Sequence, residues 1–280
     1  MLEIKFDLTD YEEVEIVPIA DVHMGSPLCN EAELKRVIDY ILEEPEDPKC
    51  ARICLLNGDL TESATKTNRN GNVFEMTMTP SVQVATMIKY LRPLAETSKK
   101  YPQGKILSYC AGNHDGDRYK ETGISAAESI AVQLGLQERF SENGCYSYIL
   151  LNVKGCKTRR DKAIVTLYNQ HGSGGGTTVG GKANRLAKLN GIVADIICTG
   201  HTHLPLTFKE DIIMPNTSKL TLRQKTITYL NCSAFLRYGD YAQKNGYRPS
   251  TIAMPRLFIR QGRKMTNYVD DRFTYTEVLL

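Results

Sequence analysis

Short apolar runs alternate along the chain with stretches in which apolar residues recur every third or fourth position. Val14 to Ala20, Ala51 to Leu56 and Lys105 to Ala111 are bounded aliphatic runs and read as strands. Asn30, with Glu33 three residues on, caps a helix whose face carries Leu34, Val37, Ile38, Ile41 and Leu42. Ser81 caps a second, striped by Val84, Met87, Ile88 and Leu91, and Pro93 interrupts it. Ile124, Ala127, Ile130, Ala131 and Leu134 make a third helical stripe. From Cys145 the texture turns to β: Tyr146 to Val153 and Ala163 to Asn169 flank a basic turn, as in a hairpin. A glycine-rich loop, Gly172 to Gly181, opens a short helix through Leu189, and Ala194 to Thr199 is another strand. Thr226 to Cys232, Ala253 to Arg260 and Tyr275 to Leu280 complete the β candidates. With no long linker, low-complexity tract or repeat, one mixed α and β domain over 1–280 is the simplest account.

Composition narrows this little. Of 280 residues, 41% are hydrophobic and 24% charged, as in ordinary soluble proteins. No run approaches the roughly 18 apolar residues of a membrane helix, and Met1-Leu2-Glu3-Ile4-Lys5 does not start a signal peptide. A cytoplasmic location and no membrane partner are expected. The eight cysteines form no CxxC pair and several lie in apolar runs, so buried free thiols are expected rather than a zinc site. A net charge of +3 is too small to argue for nucleic acid. The basic stretches Lys154 to Lys162 and Arg256 to Lys264 read as a solvated turn and a solvated strand face.

The five histidines carry the chemistry. Asp21-Val22-His23 follows the first strand candidate, and Gly58-Asp59 follows the second after Asn57. Gly112-Asn113-His114-Asp115 follows the third, His171 the strand ending at Asn169, and Gly200-His201-Thr202-His203 the strand ending at Thr199. Ligands gather at the carboxyl ends of strands in α/β sheets, and oxygen donors mixed with imidazole suit divalent transition ions. The donors exceed what one ion needs.

In this order the blocks Asp-x-His, Gly-Asp, Gly-Asn-His-Asp, His and Gly-His-x-His resemble the signature of the calcineurin-like metallophosphoesterases, over Asp21 to His203. The resemblance implies an α/β, four-layer αββα sandwich with two mixed β-sheets. It implies two divalent metal ions, Mn2+ first, with Fe, Zn, Mg or Ni as alternatives. One ion would take Asp21, His23 and His203, the other Asn113, His171 and His201, and Asp59 would bridge them. It further implies phosphoester hydrolysis by a metal-bridging hydroxide, with His114 contacting the phosphate and helping to protonate the leaving group. Glu62 or the adjacent Asp115 would orient His114, Glu62 being favoured because protein phosphatases of this class carry an Asp at that spacing; otherwise Glu62 is a loop carboxylate facing water.

One departure bears on substrate. Gly58-Asp59-Leu60-Thr61-Glu62-Ser63 lacks the Arg-Gly of the Ser/Thr protein phosphatases, which shifts the expectation toward a phosphodiesterase or nuclease. Phosphomonoester hydrolysis on protein or nucleotide is the alternative, and a non-catalytic metal-binding scaffold the alternative from another class. Gly176 to Lys182 also fits the GxxxxGK of a P-loop nucleotidase, but Ala183 stands where a Mg2+-binding hydroxyl belongs. Lys182 and Arg185 beside that loop, and Arg118 after Gly-Asn-His-Asp, are candidate substrate-binding cations; otherwise they belong to solvated segments. A phosphoester substrate, nucleic acid included, is the expected partner; the sequence sets no oligomeric state.

Overall fold

The computed structural model describes residues 1–64, 73–154, 162–175, 178–239, 242–243, 249, 254–261 and 273–279, with the backbone alone described for 116–118, 121 and 273–279. The chain opens on β1 (Leu2–Leu8) and β2 (Glu13–Ile19), then runs α1 (Glu31–Leu42), β3 (Cys50–Asn57), α2 (Pro80–Ala95), β4 (Ile106–Cys110), α3 (Asn113–Thr122) and α4 (Ala126–Gln133). It continues through the short β5 (Phe140–Ser141), β6 (Cys145–Asn152), β7 (Lys162–Asn169), α5 (Val179–Ala187) and β8 (Ile196–Thr199). A long hairpin, β9 (Leu206–Asn216) and β10 (Thr221–Asn231), precedes β11 (Pro255–Gln261) and β12 (Phe273–Leu279).

The strands form two six-stranded sheets, ordered β12-β11-β2-β3-β4-β5 and β1-β6-β7-β8-β10-β9. Both are mixed. β2, β3, β4 and β5 run parallel, with β11 antiparallel to β2. In the other sheet β7, β8 and β10 run parallel, β6 is antiparallel to β7 and parallel to β1, and β9 is antiparallel to β10.

Side-chain alternation separates the layers. Leu167, Ile196 and Cys198 join the large core with Ile16, Leu55 and the apolar faces of α1, α2 and α4. Their neighbours Tyr168 and Ile197 point the other way, into a second cluster with Leu186 of α5. The layers are therefore helices, sheet, sheet, helix, as the resemblance implies. β3 lies between helices and the other sheet and is buried along its whole length, which is why it reads as an unbroken aliphatic run.

Several elements differ from the periodicity reading. β1 is a seven-residue strand, buried at Ile4, Phe6 and Leu8 and parallel to β6. α2 starts at Pro80, not Ser81, and continues through Pro93 to Ala95, since proline near a helix end removes little. The third stripe is split: α3 stops at Gly123 in the left-handed conformation, α4 starts at the Ser125 cap, and Ile124 between them is exposed. Leu42 is at the edge of its stripe and 36% exposed. The basic turn after Lys154, with Cys156, and residues 65–72 lie outside the described residues. The other seven cysteines are free thiols, all buried except the half-buried Cys29.

Candidate metal centre

Because β2, β3 and β4 are parallel, the segments that follow them leave the same sheet edge, and the same holds for β7 and β8 in the facing sheet. The five motif blocks therefore meet. The loops after β2 and β3 continue side by side beyond the sheet. Asp21 N donates to Gly58 O at 3.0 Å, His23 N to Asp59 O at 3.0 Å and Glu62 N to Met24 O at 2.9 Å. From the far end of the chain, Phe235 N donates to Asp21 O at 3.0 Å.

Asp21, His23 and His203 place one donor atom each within 4.8 Å of one another, and Asp59, His171 and His201 do the same. A third group, His23, Asp59 and His114, makes Asp59 common to both sides. His203 Nε2 lies 3.2 Å from Asp21 Oδ1, and His171 Nε2 lies 3.0 Å from Asp59 Oδ2 and 3.2 Å from Asn113 Oδ1. The residues expected for each ion are thus brought together, with Asp59 between the trios.

The backbone bears the cost of this convergence. Asp21, His23, Asp59, His201 and His203 all have φ between 48° and 66°, the left-handed region that residues with a Cβ seldom occupy. The motif glycines have a steric reason. A Cβ on Gly112 would lie 2.0 Å from Asp59 Oδ1, one on Gly58 2.5 Å from His171 Nδ1, and one on Gly200 2.6 Å from Asp21 Oδ2. Each glycine lets a candidate ligand lie against main chain.

Hydrogen bonds fix the imidazoles. His171 Nδ1 donates to Asn57 O at 2.8 Å, and His23 Nδ1 to Glu62 Oε2 at 3.0 Å. In the neutral rings the lone pair then sits on Nε2. For His171 that lone pair faces the Asp59 carboxylate; for His23 it is buried without a hydrogen-bond partner, 4.0 Å from the same carboxylate. A lone pair against a carboxylate is repulsive unless a cation stands between them. The donor set fits divalent ions on this ground, and an outer N–H held by an oxygen is how metal-binding histidines are oriented.

His114 corrects one expectation. Its Nδ1 donates to the main-chain O of Glu62 at 2.8 Å, not to a carboxylate. The Glu62 carboxylate is committed to His23, and Asp115 Oδ2 accepts from Gly112 N at 2.9 Å, closing the first turn of α3. Glu62 therefore orients both imidazoles with different atoms, and Asp115 holds the segment rather than the ring. Asp59 Oδ1 accepts from His114 N at 2.9 Å, at the positive end of α3.

Charge follows from these contacts. Burial alone disfavours the His171 imidazolium, but the Asp59 and Asp21 carboxylates outweigh it and lift His171 to about 10. Burial likewise opposes ionised Asp59, yet His171, His114 and His23 bring it well below the carboxylate range. Burial pushes His201 down to about 4 and Asp115 up to about 7. For His114, burial is outweighed by Asp59 and Glu62, which raise it.

Of the candidate substrate cations, Lys182 and Arg185 border the centre. Lys182 Nζ donates to Thr202 O at 2.6 Å, between His201 and His203. Arg118 lies in α3, with its side chain outside the described residues. Sequence reading missed the supporting polar residues. Asn57 supplies the carbonyl for His171, and Asn231 donates to Thr202 Oγ1 at 2.9 Å and Leu204 O at 2.6 Å, fixing the Gly-His-x-His turn. An asparagine closing an aliphatic run, at Asn57 and at Asn231, was the available signal.

No protein-family model matches the sequence, and no curated protein matches it. Among solved structures, the chain is similar to a predicted phosphoesterase from Streptococcus pneumoniae TIGR4, at 11% identity over 96% of this chain and 98% of that one, TM-score 0.37. It is similar to Vps29 of Chaetomium thermophilum, at 13% identity over 95% of each, TM-score 0.36. It is also similar to a metallophosphoesterase from Sphaerobacter thermophilus, at 14% identity over 94% and 88%, TM-score 0.37.

Proposed function

We propose that the chain is a metal-dependent phosphoester hydrolase. The observation that carries this is the convergence, from five strand ends, of two buried carboxylates, a carboxamide and four imidazoles on one point, with five of those residues held in left-handed backbone. Asp21, His23 and His203 would hold one divalent ion, Asn113, His171 and His201 a second, and Asp59 would serve both. Mn2+ is the first ion to try, because the set mixes hard oxygen with imidazole. Ions bound there supply Lewis acidity toward phosphoryl oxygens and lower the pKa of water toward neutrality.

The chain's own residues do the rest. Asp59 separates the two trios and neutralises charge on both sides. His114, anchored through Nδ1, keeps Nε2 for the substrate and holds the proton that a leaving oxygen needs. Asn113 adds oxygen without adding negative charge, so a phosphate anion meets less repulsion. A diester, including a nucleic acid strand, is the favoured substrate, because the Gly58 to Ser63 block offers no arginine to fix a monoester dianion.

The test is the metal content of the purified protein together with hydrolysis of bis(p-nitrophenyl) phosphate in Mn2+. Bound divalent metal with turnover is expected; neither metal nor turnover overturns the reading. His114→Ala should lower kcat by roughly 10²–10⁴ with metal content unchanged, whereas Asn113→Ala should lose both.

A further inference from the structure

Next to the centre is a cavity of about 200 Å³ bordered by Ser173, Lys182, Arg185, Gly200, Thr202 and Asn231. It is contiguous with the candidate ligands, since Gly200 and Thr202 flank His201. Lys188 also borders it, and among the described residues no carboxylate does.

Its cations lack the partners that usually neutralise such groups. Lys182 Nζ is half-buried on the neutral carbonyl of Thr202, and the exposed Arg185 beside it donates to Ser173 O at 3.4 Å. Among the described residues neither makes an ion pair. Holding the half-buried Lys182 on neutral oxygen alone is unfavourable, and an anion between it and the adjacent Arg185 relieves it. The pair is also built in. Lys182 and Arg185 are three residues apart on α5 and share a face. Gly174, at φ 82°, makes room for the guanidinium, since a Cβ there would lie 1.7 Å from Arg185 Nη1. The cavity is larger than one phosphate needs and smaller than the about 300–1,000 Å³ typical of pockets that enclose a whole small molecule, as suits one end of a substrate whose other end lies at the ions.

We propose that Lys182 and Arg185 form a subsite for a second phosphate, so that the substrate carries another phosphate group beside the scissile one. The inference rests on the hydrolase reading for the location of the scissile phosphate, but the subsite is measurable by binding alone. Two spacings present the same chemistry: a phosphoanhydride, and a phosphate one sugar away.

Calorimetric titration of the Mn2+-loaded full-length protein distinguishes them with matched probes, pyrophosphate against phosphate, and thymidine 3′,5′-bisphosphate against thymidine 5′-monophosphate. In at least one pair the second phosphate should improve affinity about tenfold or more, and the improved pair identifies the spacing. The double variant Lys182→Gln/Arg185→Gln should erase most of that gain, while affinity for the single-phosphate member falls far less and the melting temperature holds. Arg185→Lys, which keeps the charge, should retain part of it. No gain in either pair, or a gain that survives the double variant, overturns the subsite. Bis(p-nitrophenyl) phosphate hydrolysis, run in parallel, reports on the hydrolase reading. Without hydrolysis but with a variant-sensitive gain, the subsite stands and the hydrolase reading falls; the converse separates them equally.

Discussion

At the residue scale, Glu62 divides its labour between two atoms. Its carboxylate steers His23 and its carbonyl steers His114. The spacing from Asp59 singled out the Glu62 carboxylate for His114, but sequence cannot say which oxygen of a residue faces a ring, and here it is the carbonyl. Glu62→Gln separates the two roles. The amide loses the charge beside His23 and keeps the main-chain acceptor for His114. Metal affinity should therefore fall roughly tenfold to a hundredfold, with kcat at saturating Mn2+ largely preserved, as a metal titration of activity would read. Gly112→Ala should be harsher. Its new Cβ meets Asp59 from 2.0 Å away in a segment that cannot yield without moving His114, so both metal content and melting temperature should drop. Protons compete with metal here. His171 is lifted to about 10, so at neutral pH a metal must displace a proton from a ligand it needs. Affinity for Mn2+ should rise steadily from about pH 6 to about pH 9, with protons released on binding. Calorimetry in buffers of differing ionisation enthalpy checks the release, and pH-independent affinity would refute it.

At the element scale, β2, β3 and β4, which present three of the five blocks, were legible because they are buried on both faces and read as bounded apolar runs. β9 was not. It alternates half-exposed and exposed residues, and its charged Lys209-Glu210-Asp211 run hides a strand whose partner is mainly β10. β1 alternates cleanly, but its parallel partner β6 lies more than 140 residues away, and no local turn announces the pairing. The apolar stripe of helix α2 was legible without its purpose being visible. Its buried Gln83 accepts from Ser63 N at 2.9 Å and donates to Met78 O at 2.9 Å, tying the helix to the loop that carries Asp59 and Glu62. A glutamine inside an apolar stripe marks such a tie. Gln83→Leu keeps the volume and orphans Ser63 N, so it should cost about 1–3 kcal/mol, measured as a lower denaturation midpoint.

At the scale of the whole molecule, the candidate metal centre lies where the two sheets meet. Asp21, His23, Asp59 and Asn113 leave one sheet, and His171, His201 and His203 leave the other. Chelation should therefore loosen the whole sandwich. Removing metal with EDTA should lower the melting temperature by about 5 °C or more, restored on adding Mn2+. Motif order declared this convergence before any geometry was known, whereas the cavity beside it depends on how α5 leans on the Gly-His-x-His turn, which no local pattern encodes. Cys54 and Cys145, buried and raised to about 12, should resist alkylation at pH 8 until the fold opens, as peptide mass mapping would show.

β1 belongs to the sheet completed by β10, and Asp21 to a centre completed by His203. During synthesis the chain thus carries its first candidate metal ligands for about 180 codons before the last ones emerge. In that interval Asp21, His23 and Asp59 can offer a cation only a partial grip. A cation held by the full donor set would therefore be taken up only after the two sheets have closed.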